Sequence, residues 1–184
     1  HVQLLKDHGW SDMYPVDLLD AQGPDLELEI PCGKKIKKNF VGKDIKDYDA
    51  TLILSHFKGH PMGGFGGALK QLSIGFASSY GKGYIHGVGD PAKFWDRDQD
   101  SFLESMADAA SSVVEYFKGN AVYINVMNNM SVDCDCSAHP ADPLLKDVGI
   151  LASTDPVALD KACLDIIFNI TPSEGNDNGP LLER

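Results

Sequence analysis

An apolar run followed at once by a glycine-rich stretch constrains this chain most. Ala50–Leu54, within YDATLILSHF, is apolar and bounded by charge, the pattern of a buried strand ending near Ser55. Ser55–Gly75 then reads SHFKGHPMGGFGGALKQLSIG, with six glycines, two histidines and two lysines in 21 residues. Leu69, Leu72 and Phe76 recur at helical spacing. The reading is strand, glycine loop, helix, a unit whose helix N-terminus can cradle an anion on backbone N–H groups. The standard nucleotide patterns do not fit it. A P-loop needs Gly directly before the Lys and Ser or Thr after it, whereas Lys70 lies between Leu69 and Gln71. A dinucleotide fingerprint starting at Gly64 would need Gly or Ala where Leu69 stands.

Strands and helices alternate along the rest of the chain. LELEI sets Leu26, Leu28 and Ile30 on one side, as a half-buried strand does. DQDSFLESMADAASSVVEYFKGN is the clearest helix, with Phe102, Met106, Ala109, Val113 and Phe117 as its apolar stripe and Gly119 at its C-terminal cap. AVYINVM, Ala121 to Met127, reads as a second buried strand and VGILAS as a short third. A helix follows, with Asp155 as N-cap and Pro156 at its first position. Cys163 falls on its stripe with Leu159 and Ile166 and belongs to the core. At the start, Val2, Leu4 and Leu5 read as helix that Gly9 terminates. The alternation predicts an α/β fold, layered, with a mostly parallel sheet flanked by helices. Residues 1–170 form one domain in this reading and 171–184 a polar C-terminal segment. The absence of a starting Met and the polar end lead us to expect a fragment of a longer chain. In such folds ligands sit beyond the C-terminal ends of strands. The loops there are Ser55–Gly67, Asn128–Asp147 and Ser153–Asp155, the ones rich in His, Cys, Gly and Asp.

Charge narrows the partners. The net charge is −11 with a pI near 4.8, and an acidic surface repels phosphate backbones, so nucleic acid is not an expected partner. The one basic run, Gly33–Phe40 (GKKIKKNF), reads as a solvated face. No window is apolar enough for a membrane span. The four cysteines, Cys32, Cys134, Cys136 and Cys163, are too few and too unevenly spaced for a disulfide scaffold. Free thiols in a reducing, cytoplasmic setting are the expectation.

Several residues have types suited to chemistry. The glycines Gly63, Gly64, Gly66 and Gly67 allow close approach of backbone to a ligand, and with Lys70 they form the expected cofactor-binding set. Lys70 stands near a helix start, where a cation is disfavoured, and burial would make it nucleophilic. Asp155 and Asp160 are weighed as ligands against plain helix capping and helix surface. His56, His60 and His86 bring imidazoles that ligate metals or shuttle protons. Cys134, Cys136 and His139 have a Cys-x-Cys-x-x-His spacing able to chelate a soft or borderline transition metal. The metal set read from the sequence is therefore His60, His86, Cys134, Cys136 and His139, with His60 and Lys70 as catalytic candidates.

The segments LSHFKGHPMGGFGGALKQLSIGFASS, YINVMNNMSVDCDC and DVGILASTDPVALDKAC closely resemble the iron–sulfur-centre protein family called domain of unknown function 362. The likeness runs from the first helix to about Ile170. Many members carry a ferredoxin-like module with four-iron four-sulfur clusters. No such cysteine run occurs in this sequence, so the resemblance places a cluster only on a ferredoxin-like module outside it. A fainter resemblance is to the N-terminal domain of nickel-dependent lactate racemases, whose motif has His, glycines, Lys and a later His. His60, Lys70 and His86 fall at that spacing, with Gly75 at the later glycine. The motif differs at Gly59, Leu69 and Ile74. In that family the histidines move protons and ligate nickel, and the lysine carries a covalent nickel-pincer nucleotide.

Three functions follow as expectations. The first is a metal- or cofactor-binding domain of an iron–sulfur redox protein. The second is a racemase-like enzyme using a Lys-attached nickel cofactor for proton or hydride transfer on a small hydroxy acid. The third is a non-catalytic module that binds a small-molecule or anionic ligand.

Overall fold

Apolar periodicity decides where the helices form, and the glycine-rich stretch decides where they cannot. The computed structural model describes residues 2–23 and 25–183. Two short helices open it, α1 (Val2–Asp7) and α2 (Trp10–Met13), broken at Gly9, whose φ of 75° is left-handed. Strands β1 (Leu26–Glu29) and β2 (Lys38–Val41) pair antiparallel. The basic run between them is pinned to the later long helix. Asp108 accepts the backbone N–H groups of Lys34, Lys35 and Ile36 at 2.9, 2.6 and 3.0 Å, and Glu104 pairs with both lysines at 3.3 Å.

Strand β3 (Thr51–His56) leads into the glycine-rich stretch, which folds as a hairpin rather than an open loop. Strands β4 (Lys58–His60) and β5 (Gly64–Gly66) pair antiparallel around Pro61–Gly63. Gly64 closes that turn with a φ of 73°, a conformation few side chains tolerate. Helix α3 (Ala68–Lys70) continues as a π-helical turn, Gln71–Gly75, and Leu72 on it is fully buried. Helix α4 (Ser79–His86) follows, then α5 (Gln99–Phe117).

Helix α5 matches its stripe. Phe102, Met106, Ala109, Val113 and Phe117 are all buried. Asp98 caps its start by accepting the Ser101 N–H at 2.8 Å, and Lys118 and Gly119 end it with positive φ. Its two halves serve two clusters. Ala110, Val113 and Phe117 join Ile53, Phe57, Leu72, Tyr123 and Leu159, while Phe102, Met106 and Ala109 join Ile36 and Ile85.

The central sheet has three strands in the order β3–β6–β7, with β6 at Ala121–Met127 and β7 at Gly149–Ser153. Strands β3 and β6 are parallel, and β6 and β7 antiparallel. The expected mostly parallel sheet is thus a mixed one. Helices α3 to α5 supply the crossover from β3 to β6 that a parallel pair needs. No helix forms between Met127 and Gly149, so the chain turns back at the end it left, and Met127 pairs with Gly149. Ser153–Asp155 consequently lies at the opposite end of the sheet from the other two predicted ligand loops.

Helix α6 (Pro156–Phe168) starts as expected, Asp155 accepting from Val157 and Ala158 at 2.9 and 3.0 Å. Cys163 is fully buried. Residues beyond 170 fold back on the core. Asn178 is buried and donates to the carbonyls of Ile167 and Ile170 at 2.7 and 3.2 Å, ahead of α7 (Gly179–Leu182). One further expectation needs correction. Strand β3 is buried on one face alone: Ile53 is 3% exposed, but Leu52 and Leu54 are 60% and 62% exposed, with Val122 and Ile150 on the same open face. Helices cover the other face, and nothing among the described residues covers this one.

Candidate functional site

Because β3 alternates, Ile53 and Ser55 point inward and His56 stands at the strand's end. The hairpin then carries Lys58 back over that end, and α3 brings Lys70 beside it. Ser55, His56, Lys58 and Lys70, with Gly66, Gly67 and Lys82, line a cleft of about 500 Å³. On a chain of net charge −11, the cleft wall holds three lysines and one carboxylate, Asp135.

Asp135 organises the outer wall. It accepts from Lys58 at 2.6 Å and lies 2.9 and 3.0 Å from Nδ1 of His56. The other ring nitrogen of His56 lies 2.7 Å from the carbonyl of Asn128. Both of these partners are acceptors, which holds the ring between the β3 end and the β6–β7 loop. Burial pushes the Asp135 carboxyl up, but the bonds and charges of Lys58 and His56 outweigh it and hold it below its ordinary value. Lys70 and Lys82 form no ion pair among the described residues. Burial lowers the pKa of Lys70; Cys134, Cys136 and Asp135 pull it back, and Lys58 depresses it further. Ser55, 6% exposed, has a hydroxyl oxygen with no hydrogen-bond partner.

The N-terminus of α3 is occupied by a carboxylate of the chain itself. Asp160, 1% exposed, accepts the N–H groups of Ala68 and Leu69, both at 2.9 Å, and an N–H of Asn125 at 2.7 Å. The expected anion cradle on these N–H groups is therefore filled from within, because the helix's unpaired donors find a buried acceptor on α6. Burial raises the Asp160 pKa, and the three donors pull it back only in part.

The predicted residues divide. Gly66, Gly67 and Lys70 line the cleft. Gly63 lines a separate apolar cavity of about 210 Å³ that Lys70 also borders, and Gly64 lines a third, beside Phe57 and Leu164. His60 is buried, and its Nδ1 accepts from the N–H groups of Met62 and Gly63 at 3.1 and 2.9 Å, which fastens the hairpin turn. His86 ends α4, stacked between Phe94 and Phe102 with centroids at 4.5 and 4.7 Å. Its Nδ1 donates to the Lys82 carbonyl at 2.7 Å, and burial, Arg97 and Lys70 keep its pKa below the ordinary histidine value. Cys134 and Cys136 come together on the β6–β7 loop with their sulfurs 2.8 Å apart. His139 on the same loop is exposed, its N–H bonded to the Ser137 hydroxyl. Among the described residues no three His, Cys, Asp or Glu side chains converge to hold a metal. The structure does not gather the five predicted ligands at one point.

Sequence reading missed Ser55, Lys58 and Lys82 as site residues, and it left Asp160 open. Two signals were available. Strand alternation puts Ser55 on the inward side with Ile53. Helical spacing puts Asp160 on the buried stripe of α6, four residues after Pro156 and three before Cys163.

The family model of a domain of unknown function, DUF362, matches residues 1–165 of the chain. No curated protein and no solved structure matches it.

Proposed function

We propose, for a chain that belongs to the DUF362 family, that its cleft binds a small anionic ligand or cofactor held by Lys70, Lys82 and Ser55. The observation that carries this reading is a local concentration of cations in an otherwise acidic protein, beside a buried hydroxyl without a partner. The surrounding negative charge repels polyanions, while an anion of a few atoms enters a cleft of this size. Lys70 is the central contact. Its ammonium is costly to bury alone, and an anion beside it removes that cost. Lys58 serves chiefly to position, since Asp135 already neutralises it.

Lys70 also supports a second reading. A half-buried lysine with a lowered pKa is a nucleophile, fit to carry a covalently attached carbonyl or carboxyl group.

Isothermal titration with inorganic phosphate and with citrate tests the proposal. Saturable binding of either, lost in Lys70→Met and weakened in Lys82→Met, is the expected result. No binding of either anion, or binding that Lys70→Met leaves unchanged, overturns it. Intact mass of the purified chain tests the second reading, which requires an adduct that Lys70→Met lacks.

A further inference from the structure

The sulfur atoms of Cys134 and Cys136 lie 2.8 Å apart, roughly 0.8 Å longer than a disulfide bond of about 2.05 Å. All four cysteines are free thiols, and the other two stand apart from this pair: Cys163 is enclosed beside Asn125, and Cys32 is exposed between β1 and β2. We propose that Cys134 and Cys136 form a reversible dithiol–disulfide couple that exchanges with small disulfides, oxidised glutathione among them. This goes beyond the anion-binding reading and does not depend on it.

Accessibility divides the work between the two sulfurs. Cys136 is exposed, whereas Cys134 is 8% exposed behind it. A small disulfide reaches Cys136, and Cys134 is already in place to resolve the mixed disulfide. Asp133 precedes the pair and Asp135 lies between its members, and both would repel a thiolate, but Lys58 and His56 engage the Asp135 carboxylate. Thiolate is the nucleophile in exchange. A ring closed across one intervening residue is strained, and strained or exposed disulfides are the readily reduced ones. The pair therefore suits exchange rather than permanent stapling.

The steps balance. The Cys136 sulfur, giving up its proton, attacks one sulfur of the small disulfide, breaks its S–S bond and releases one thiol that takes the proton. The Cys134 sulfur then attacks the Cys136 sulfur, breaks the mixed disulfide and releases the second thiol with the second proton. The protein loses two electrons and two protons, and the small disulfide gains both.

The test uses the reduced chain equilibrated with oxidised glutathione, acid-quenched, then alkylated under denaturing conditions and mapped by mass. The expected product has lost two hydrogens and two alkylatable thiols, both at Cys134 and Cys136, and dithiothreitol restores them. In Cys134→Ser the glutathione stays on Cys136, because the resolving sulfur is gone. Three results overturn the proposal: wild-type chain that keeps glutathione on Cys136 without closure, full alkylation of both residues at every glutathione ratio, or a stoichiometric metal that blocks alkylation and leaves in Cys134→Ser. The wild-type chain alone decides the matter, so a variant that misfolds does not obscure it.

Discussion

A Cβ placed on Gly67 would lie 2.6 Å from Oδ1 of Asp160. The carboxylate takes that space because it bonds the N–H groups of Ala68 and Leu69 and ties α6 to the start of α3. Glycine at this position is a steric consequence of Asp160, since the backbone at Gly67 is extended and unstrained.

Gly67→Ala should therefore destabilise the chain by about 1–3 kcal/mol, the usual cost of overpacking. Asp160→Ala should cost a similar amount, about 1–3 kcal/mol, by leaving buried N–H donors unpaired. The double variant should lose less than the sum, because alanine at 160 removes the clash that alanine at 67 creates. Urea midpoints at constant m-value measure all three. Strict additivity would show that the contact does not govern Gly67.

Lys70→Met should raise stability near neutral pH while abolishing anion binding. Burial depresses the lysine's folded pKa, so between that value and 10.5 the unfolded chain binds more protons than the folded one. Wild-type stability from this group thus rises with pH across that window, and the advantage of Lys70→Met shrinks as it does. Urea titrations from about pH 7 to about pH 10 measure the difference. A gap that stays constant with pH would mean that Lys70 is not desolvated.

Much of this fold was legible in the sequence because periodicity records burial. The stripe on α5, the strand Ala121–Met127 and the Asp155–Pro156 start of α6 all lie where spacing placed them. The direction of β7 was not legible, since pairing follows from how the β6–β7 loop returns, and no local pattern encodes that. Strand β3 read as buried on both sides because Leu52 and Leu54 are as apolar as Ile53, and composition alone does not reveal which face a helix covers. Lys70, Gly66 and Gly67, which line the cleft, stood out in the sequence as local features. Lys58 and Asp135 were missed as a pair because they lie 77 residues apart and only the fold brings them together.

His86 should make the chain less stable in mild acid. Its folded pKa is depressed by burial between Phe94 and Phe102, so protons bind the unfolded chain first as pH falls through about 6.5. Stability from this residue is whole above that pH and declines below it. His86→Phe keeps the stacking and removes the proton site, and the variant should lose less stability than wild type between about pH 7 and about pH 5. Equal losses in the two chains would assign the acid sensitivity to other groups.

Oxidation of the cysteine pair should tighten anion binding in the cleft. Cys134 and Cys136 pull the pKa of Lys70 upward, as negative charge nearby does. A disulfide carries no charge, so at a pH where the reduced pair is ionised, closing it withdraws a competitor for the Lys70 ammonium. If the couple forms, phosphate should bind the oxidised chain more tightly by about threefold to tenfold, or about 0.7–1.4 kcal/mol. Added salt should narrow the difference, since screening weakens the competing thiolate as well as the ligand. The measurement is a phosphate titration of reduced and oxidised chain at two ionic strengths. Weaker binding after oxidation would mean that the bond distorts the Lys58–Asp135 wall more than it frees Lys70.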